Sequence, residues 1–370
     1  MLSPHRSFTS RPSPPFPSSP PPSSSLYATS TSAINLRLLG SGSASPPTII
    51  PNTALETVVE TTDEWISSRT GISQRKVLTN DSPIGISTLG SEAAMKALEM
   101  ANIDPSQVDM VIMCTSSPDD LFGDASTVAN AIGASKAVAF DLTAACSGFL
   151  FGCVTAGQFL TNNKMTAVVV GADALTRWVD WDDRNSCILF GDGAGAVVLQ
   201  SDELNSKPNN LPGMLSYSIH SDGSGHEDLL CKYAGEDREV ATKPEKTIMS
   251  KGGYGFITMN GKEVYKFATR VVPTVLDESL EAAGITVDDV DHLLLHQANI
   301  RIMEQVAKRM NIPMSKVISN LKDYGNTSAG SIPIALDEAV RDGTVKKGDV
   351  IACAGFGAGL SWGSAIFRWG

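Results

Sequence analysis

The chain has 370 residues, 42% of them hydrophobic and 19% charged. This suits a large packed core in two similar lobes or one α/β body, and excludes a fibrous polymer. Its 29 Lys and Arg against 40 Asp and Glu give a formal charge of -11, which speaks against a nucleic-acid partner, and no apolar run approaches the ~18 residues of a membrane span.

Residues 1–32 hold 11 Ser, 8 Pro, Arg6 and Arg11 but no acidic residue; the first carboxylate of the chain is Glu56. Such a segment cannot bury a core. It lacks the apolar stretch of a secretory signal, and its Ser and Arg content without acids predicts a disordered organelle transit peptide. It is therefore set apart from the fold.

Beyond it, short apolar or β-branched runs at 108–114, 137–142, 167–171, 196–199, 293–295 and 350–353 alternate with helical patterns. That alternation predicts an α/β fold with largely parallel, buried sheets. One internal offset recurs. Leu98-Glu99-x-Ala101-x-Ile103 with Val108-Asp109 reappears 182 residues later as Leu280-Glu281-x-Ala283-x-Ile285 with Val290-Asp291, and the same shift carries Val168-Val169 onto Val350-Ile351. Two helix-to-strand units in one register predict two pseudo-symmetric halves, 33–205 and 206–370, because the period is too long for a solenoid.

In open α/β sheets, ligands bind beyond the carboxyl ends of strands. At the first such end, Asp141-Leu-Thr-Ala-Ala-Cys146-Ser-Gly148 places Cys146 where a strand enters a helix over 149–160. Free N–H groups at a helix start favour thiolate over thiol, so Cys146 is a candidate nucleophile. Cys114, Cys153, Cys187 and Cys353 read as small buried residues. None of the six cysteines forms a CxxC pair or has a histidine at ligand spacing, so neither a zinc site nor a disulfide framework is expected. At the second end, Leu293-Leu-Leu-His296-Gln-Ala-Asn299 empties an apolar strand into a polar turn, where a neutral imidazole could serve a developing oxyanion. The third loop, Tyr324-Gly-Asn326-Thr-Ser-Ala-Gly330, leads to a helix over 334–340 and offers an amide donor at Asn326. A last glycine-rich loop, 355–363, lets backbone amides approach a ligand.

At these four places the sequence resembles β-ketoacyl-acyl-carrier-protein synthase III, in the runs Ala-Ala-Cys146-Ser-Gly, His296-Gln-Ala-Asn, Gly-Asn326-Thr-Ser-Ala-Gly-Ser and Gly-Phe-Gly-Ala358-Gly-Leu-Ser-Trp-Gly. Asp63-Glu-Trp-Ile-Ser-Ser-Arg69-Thr-Gly-Ile72 and Phe190-Gly-Asp-Gly-Ala-Gly195 match as well, so the likeness runs from about residue 34 to the C-terminus. It implies a thiolase fold, two related halves in a five-layered α/β/α/β/α body, and a plastid enzyme of fatty acid synthesis. Implied too are Cys146, His296 and Asn326 as catalytic residues, with the Cys146 and Ala358 amides forming the oxyanion hole. Trp65, Arg69, Arg184 and Asn299 would contact CoA. Gln297, Ala298, Asn299, Ile300, Arg301 and Lys266 would meet an acidic acyl-carrier protein, with Lys308 and Arg309 adding to the basic patch.

The implied reaction joins acetyl-CoA to malonyl-acyl-carrier protein; CoA is a substrate and no cofactor or metal is expected. A homodimer is implied, the partner's residue near Leu121 or Phe122 closing the acyl pocket. Thiolases carry a second cysteine, and elongating ketoacyl synthases a second histidine, where Asn326 stands. Plant polyketide synthases share the triad but differ around its asparagine. A dinucleotide-binding reading of 191–196 fails because that run precedes an apolar strand and lacks the GxGxxG spacing. A catalytically dead scaffold that only binds acyl-carrier protein conflicts with the intact triad. The polar stretch 231–251 is expected to be a surface loop, and primer length stays open.

Overall fold

The structure, a computed structural model, describes residues 28–30, 36–160, 164–201, 213–241 and 246–370. The segment expected to be a transit peptide lies outside the described residues except for 28–30, and so does the expected boundary at 205/206.

Five strands make the first sheet, in the spatial order Leu36–Ala44, Gly193–Ser201, Thr166–Asp173, Met110–Cys114 and Val138–Leu142. The second runs Gly213–Ser221, Ser361–Arg368, Val350–Gly357, His292–Leu295 and Val317–Ile318. Counted in chain order within each half, both sheets read 1-5-4-2-3. A duplicated fold predicts this, and one backbone clamp recurs, but the strands Thr166–Asp173 and Val350–Gly357 match at an offset of 184, so Val168 corresponds to Ala352 and not, as expected, to Val350. Asp109 closes a two-bond clamp with Thr166 (N to O 2.8 Å, carboxylate to N 2.8 Å), and Asp291 closes the same clamp with Val350 (2.9 and 2.8 Å). The helices before these clamps, Ile86–Ala101 and Gly261–Ala283, both end on a left-handed residue, Asn102 and Gly284, 182 positions apart.

Packing follows from side-chain pattern. Ile86–Ala101 lays Leu89, Ala93, Ala94 and Ala97 on the outside of the first sheet, and Gly261–Ala283 lays Phe267, Val272, Leu276 and Leu280 on the outside of the second. Each of these helices has one apolar stripe, as a helix with one solvated face must. The helices Gly148–Phe159 and Ser331–Arg341 touch strands of both sheets and are buried on nearly every side. Together these elements stack as helix, sheet, helix pair, sheet, helix, the five layers of the thiolase fold.

Three further expectations need correction. Ala28–Ser30, assigned to the excluded leader, pairs with 217–219 at the edge of the second sheet. The stretch 231–251 is not a loop: Leu229–Tyr233 pairs with Tyr254–Met259, and Glu236–Ala241 pairs with Lys246–Lys251. Backbone pairing organises it although its polar side chains bury little. Nor is 355–363 an open loop, because its ends are strand, with Gly355 opposite Gly363 and Gly357 opposite Ser361.

Candidate active site

Strand Val138–Leu142 ends one turn before Cys146, which sits in the short 3-10 turn Ala145–Ser147 ahead of helix Gly148–Phe159. Ala145 has φ 46, a left-handed conformation that costs a non-glycine residue free energy and persists here at the approach to the nucleophile. Gly357 packs against this turn. A Cβ there would lie 2.8 Å from Cys146 N, so a glycine is required for the second half to come this close. Ala358 follows it, its carbonyl accepting from Ser361 Oγ at 3.0 Å. The Ser361 hydroxyl also reaches Ala144 O, and Ser361 O accepts from Ser147 Oγ at 2.9 Å.

His296 follows strand His292–Leu295, its N–H bonded to Ala354 O at 2.8 Å and its ring edge-on to Phe356. Asn326 lies across from Phe190. Its N–H donates to Leu189 O at 2.8 Å and its carbonyl accepts from Gly191 N at 3.0 Å. Its side-chain oxygen accepts from Ser328 N at 2.8 Å, which leaves the NH2 group as the donor for a ligand.

Cys146, His296 and Asn326, each at most 7% exposed, line one cavity of about 630 Å³. Leu189, Phe190, Phe356 and Leu360 make its wall apolar, while Trp65, Arg69, Asn299 and Arg301 bring it to the surface. Burial sets the chemistry. It pushes the Cys146 thiol up to about 12, with the Ser328 hydroxyl, 3.4 Å from the sulfur, acting in the opposite direction. Desolvation thus acts against the thiolate that a helix start favours. Burial also holds His296 down to about 3, so its imidazole is neutral and keeps one N–H with which to donate to an oxyanion. Behind Ser328, the fully buried Asp173 accepts from Thr115 Oγ1, Ser116 N, Ser117 Oγ and Ala329 N, fastening the two halves under the site.

At the mouth, the Arg69 and Arg184 guanidinium carbons lie 4.4 and 4.6 Å from the centre of the Trp65 ring. A flat ring of a ligand could replace either cation there. Asn299 caps helix Ile300–Arg309, its side-chain oxygen accepting from Arg301 N at 2.9 Å. Ala298 and Arg301 line the cavity, and Arg301 also donates to Ser68 O at 3.2 Å.

Four of the expected binding residues do not line the cavity. Gln297 is wholly buried, its amide donating to Leu295 O and its oxygen accepting from Ser319, so its side chain is not available to a partner protein. Ile300 packs against the core of the second half beside Gly71 and does not line the cavity. Lys266 is exposed outside the cavity and paired with Glu263 at 2.8 Å. Arg184 stacks on Trp65 without lining the cavity itself. Sequence reading missed Ser328 and Phe356; Ser328 matches Ala145 in the equivalent turn, both being left-handed, so the repeat does not pair it with Cys146. Run 191–196 leads directly into strand Gly193–Ser201, as expected, with no helix for a dinucleotide phosphate. No cluster of metal-ligating side chains occurs among the described residues, and no described helix is long and apolar enough to cross a membrane.

Residues 140–223 match the family model of 3-oxoacyl-[acyl-carrier-protein] synthase III, and 280–369 match the model of its C-terminal region. The chain is 53% identical over 334 residues to a β-ketoacyl-[acyl-carrier-protein] synthase III of Microcystis aeruginosa, covering 90% of this chain and 97% of that one. A second such synthase, of Trichormus variabilis, is 52% identical, with 91% and 99% covered. Among solved structures, the 3-oxoacyl-[acyl-carrier-protein] synthase III of Aquifex aeolicus VF5 superposes with a TM-score of 0.79 at 37% identity, with 90% of this chain and all of that one covered.

Proposed function

The chain belongs to the β-ketoacyl-acyl-carrier-protein synthase III family, and on that footing we propose that it condenses acetyl-CoA with malonyl-acyl-carrier protein to start fatty acid synthesis. The observation that carries this reading is the convergence of Cys146 from one half with His296 and Asn326 from the other in a single cavity.

In the first step the Cys146 sulfur attacks the thioester of acetyl-CoA. Its proton leaves as attack proceeds and ends on the departing CoA sulfur, while the acetyl group stays on Cys146. The amides of Cys146 and Ala358 meet the oxyanion. Malonyl-acyl-carrier protein then loses carbon dioxide, and the enolate charge falls on its thioester oxygen, where His296 and Asn326 donate. The enolate carbon attacks the acetyl-Cys146 carbonyl and expels the Cys146 thiolate, giving 3-oxobutanoyl-acyl-carrier protein, and the thiolate takes a proton from solvent. Decarboxylation itself generates the nucleophile, so no base, metal or separate cofactor is needed. Each donor contributes about 3 kcal/mol to the transition state.

Trp65, Arg69 and Arg184 suit the flat adenine and the phosphates of CoA, and Asn299 stands where the pantetheine arm would pass. Ala298, Arg301 and the exposed Lys266 suit an acidic carrier protein. A homodimer would cover the apolar surface beside edge strand Val138–Leu142, where Val138, Phe159, Leu121 and Phe122 are 63, 57, 82 and 96% exposed. Leu121 or Phe122 would then close the partner's acyl pocket. The composition of 1–32 and the cyanobacterial relatives support a plastid location.

The test is purified protein given acetyl-CoA and malonyl-acyl-carrier protein, with carbon dioxide and 3-oxobutanoyl-acyl-carrier protein measured. Product formation that vanishes in Cys146→Ala supports the reading. A wild-type protein that forms none overturns it.

A further inference from the structure

Among the described residues, Arg75 is the largest side chain with almost no exposure to solvent. Its guanidinium makes no bond to a carboxylate. Nη1 donates to Ile50 O at 3.2 Å and to Asn52 Oδ1 at 2.9 Å, and Nη2 donates to Ile188 O at 2.7 Å. Burial holds its pKa down to about 10, so it remains a cation. A buried cation compensated only by neutral oxygens is costly, and a merely structural filler of this volume would be apolar. The carbonyls it grips therefore indicate its role.

Ile188 opens the segment that reaches the site. Leu189 O holds the Asn326 N–H, and Gly191 N holds the Asn326 carbonyl. The Arg75 stem packs against the same place: a Cβ on Gly191 would lie 3.1 Å from Arg75 Cβ and 2.1 Å from Tyr324 O. On its other side Asn52, which accepts from Arg75, donates to Asp63 Oδ1 at 2.8 Å and to Ile72 O at 2.7 Å, at the two ends of the helix carrying Trp65 and Arg69. One guanidinium thus ties the mouth helix to the backbone that carries Asn326.

We infer that Arg75 is a positioning residue for Asn326, and through it for the decarboxylation half of the reaction. The inference rests on the proposed function and separates its two steps. Acetyl transfer to Cys146 uses the sulfur and the amides of Cys146 and Ala358, none of which Arg75 touches. Malonyl decarboxylation uses Asn326. A misplacement of Asn326 by a fraction of an ångström weakens a transition-state hydrogen bond without removing the site.

The experiment measures both half-reactions separately in Arg75→Lys and Arg75→Met. One assay is acetyl transfer from saturating acetyl-CoA to Cys146; the other is carbon dioxide release from malonyl-acyl-carrier protein. The expected result is a fall in decarboxylation kcat of roughly tenfold or more, with acetyl transfer within about threefold of wild type. Arg75→Lys, which keeps the charge and one donor group, should fall less than Arg75→Met. Gly191→Ala disturbs the same backbone from the other side and should show the same split, which provides a reading if the Arg75 variants do not fold. Equal loss of both steps in folded variants, or no loss in either, overturns the inference while wild-type activity stands. A wild type inactive in both steps overturns the proposed function instead.

Discussion

The sulfur of Cys146 lies 3.4 Å from the hydroxyl oxygen of Ser328, a contact made between the two halves. Equivalent turns, Ala145–Ser147 and Ser328–Gly330, meet across the pseudo-twofold relationship, each opening a central helix. One copy carries the nucleophile. The other carries its hydrogen-bonding partner, and the backbone of that partner orients Asn326.

Ser328→Ala removes the one side-chain bond that favours the Cys146 thiolate. Loss of a bond of about 1 kcal/mol should slow alkylation of Cys146 by iodoacetamide roughly fivefold at pH 8. Equal rates in variant and wild type would show that the contact does not influence the sulfur.

His296 gives the fold a pH dependence of known sign. Its folded pKa, near 3, lies below its ordinary 6.5. As pH falls from 6.5 towards 3, the unfolded chain binds a proton that the folded protein refuses, and stability declines. His296→Asn removes this contribution. Between pH 7 and 5 the wild type should lose about 2 kcal/mol more than the variant in urea unfolding. Parallel losses would contradict a neutral, buried imidazole.

Trp65→Ala removes the ring on which Arg69 and Arg184 rest. The KM for acetyl-CoA should rise roughly tenfold with kcat little changed, since a contact remote from the reacting carbon binds ground and transition states alike. A fall in kcat at constant KM would place Trp65 in another role.

Arg301→Glu should raise the KM for malonyl-acyl-carrier protein while leaving that for acetyl-CoA nearly unchanged, and added salt should weaken the carrier-protein interaction in wild type more than in the variant. Steady-state kinetics at two ionic strengths distinguishes this from an effect transmitted through Ser68, which would change both KM values.

Cys146 and His296 were legible because each follows an apolar strand, Asn326 because it stands in a Gly/Ser-rich turn that leads into a helix, and the internal repeat predicted two related halves. Other features needed three dimensions. The grip of Arg75 spans Ile50, Asn52 and Ile188, and no local spacing announces carbonyl partners so far apart. Gln297 was expected to meet a partner only through the family resemblance, yet its amide folds back onto Leu295 O. The 236–251 ribbon carries no clean alternation of polar and apolar residues, so its backbone pairing was hidden. For Cys146 the helix start was visible, whereas the desolvation that acts against it depends on Gly357 and the apolar wall supplied by distant segments.

The central claim is that Cys146 carries the acyl group between two half-reactions. Mass spectrometry of the intact protein, and of its peptides, after mixing with acetyl-CoA in the absence of malonyl-acyl-carrier protein tests it most directly. One acetyl group per chain on Cys146, discharged on adding malonyl-acyl-carrier protein and absent in Cys146→Ala, is the predicted result. Acetylation of another residue, or condensation by Cys146→Ala at the wild-type rate, would contradict the account.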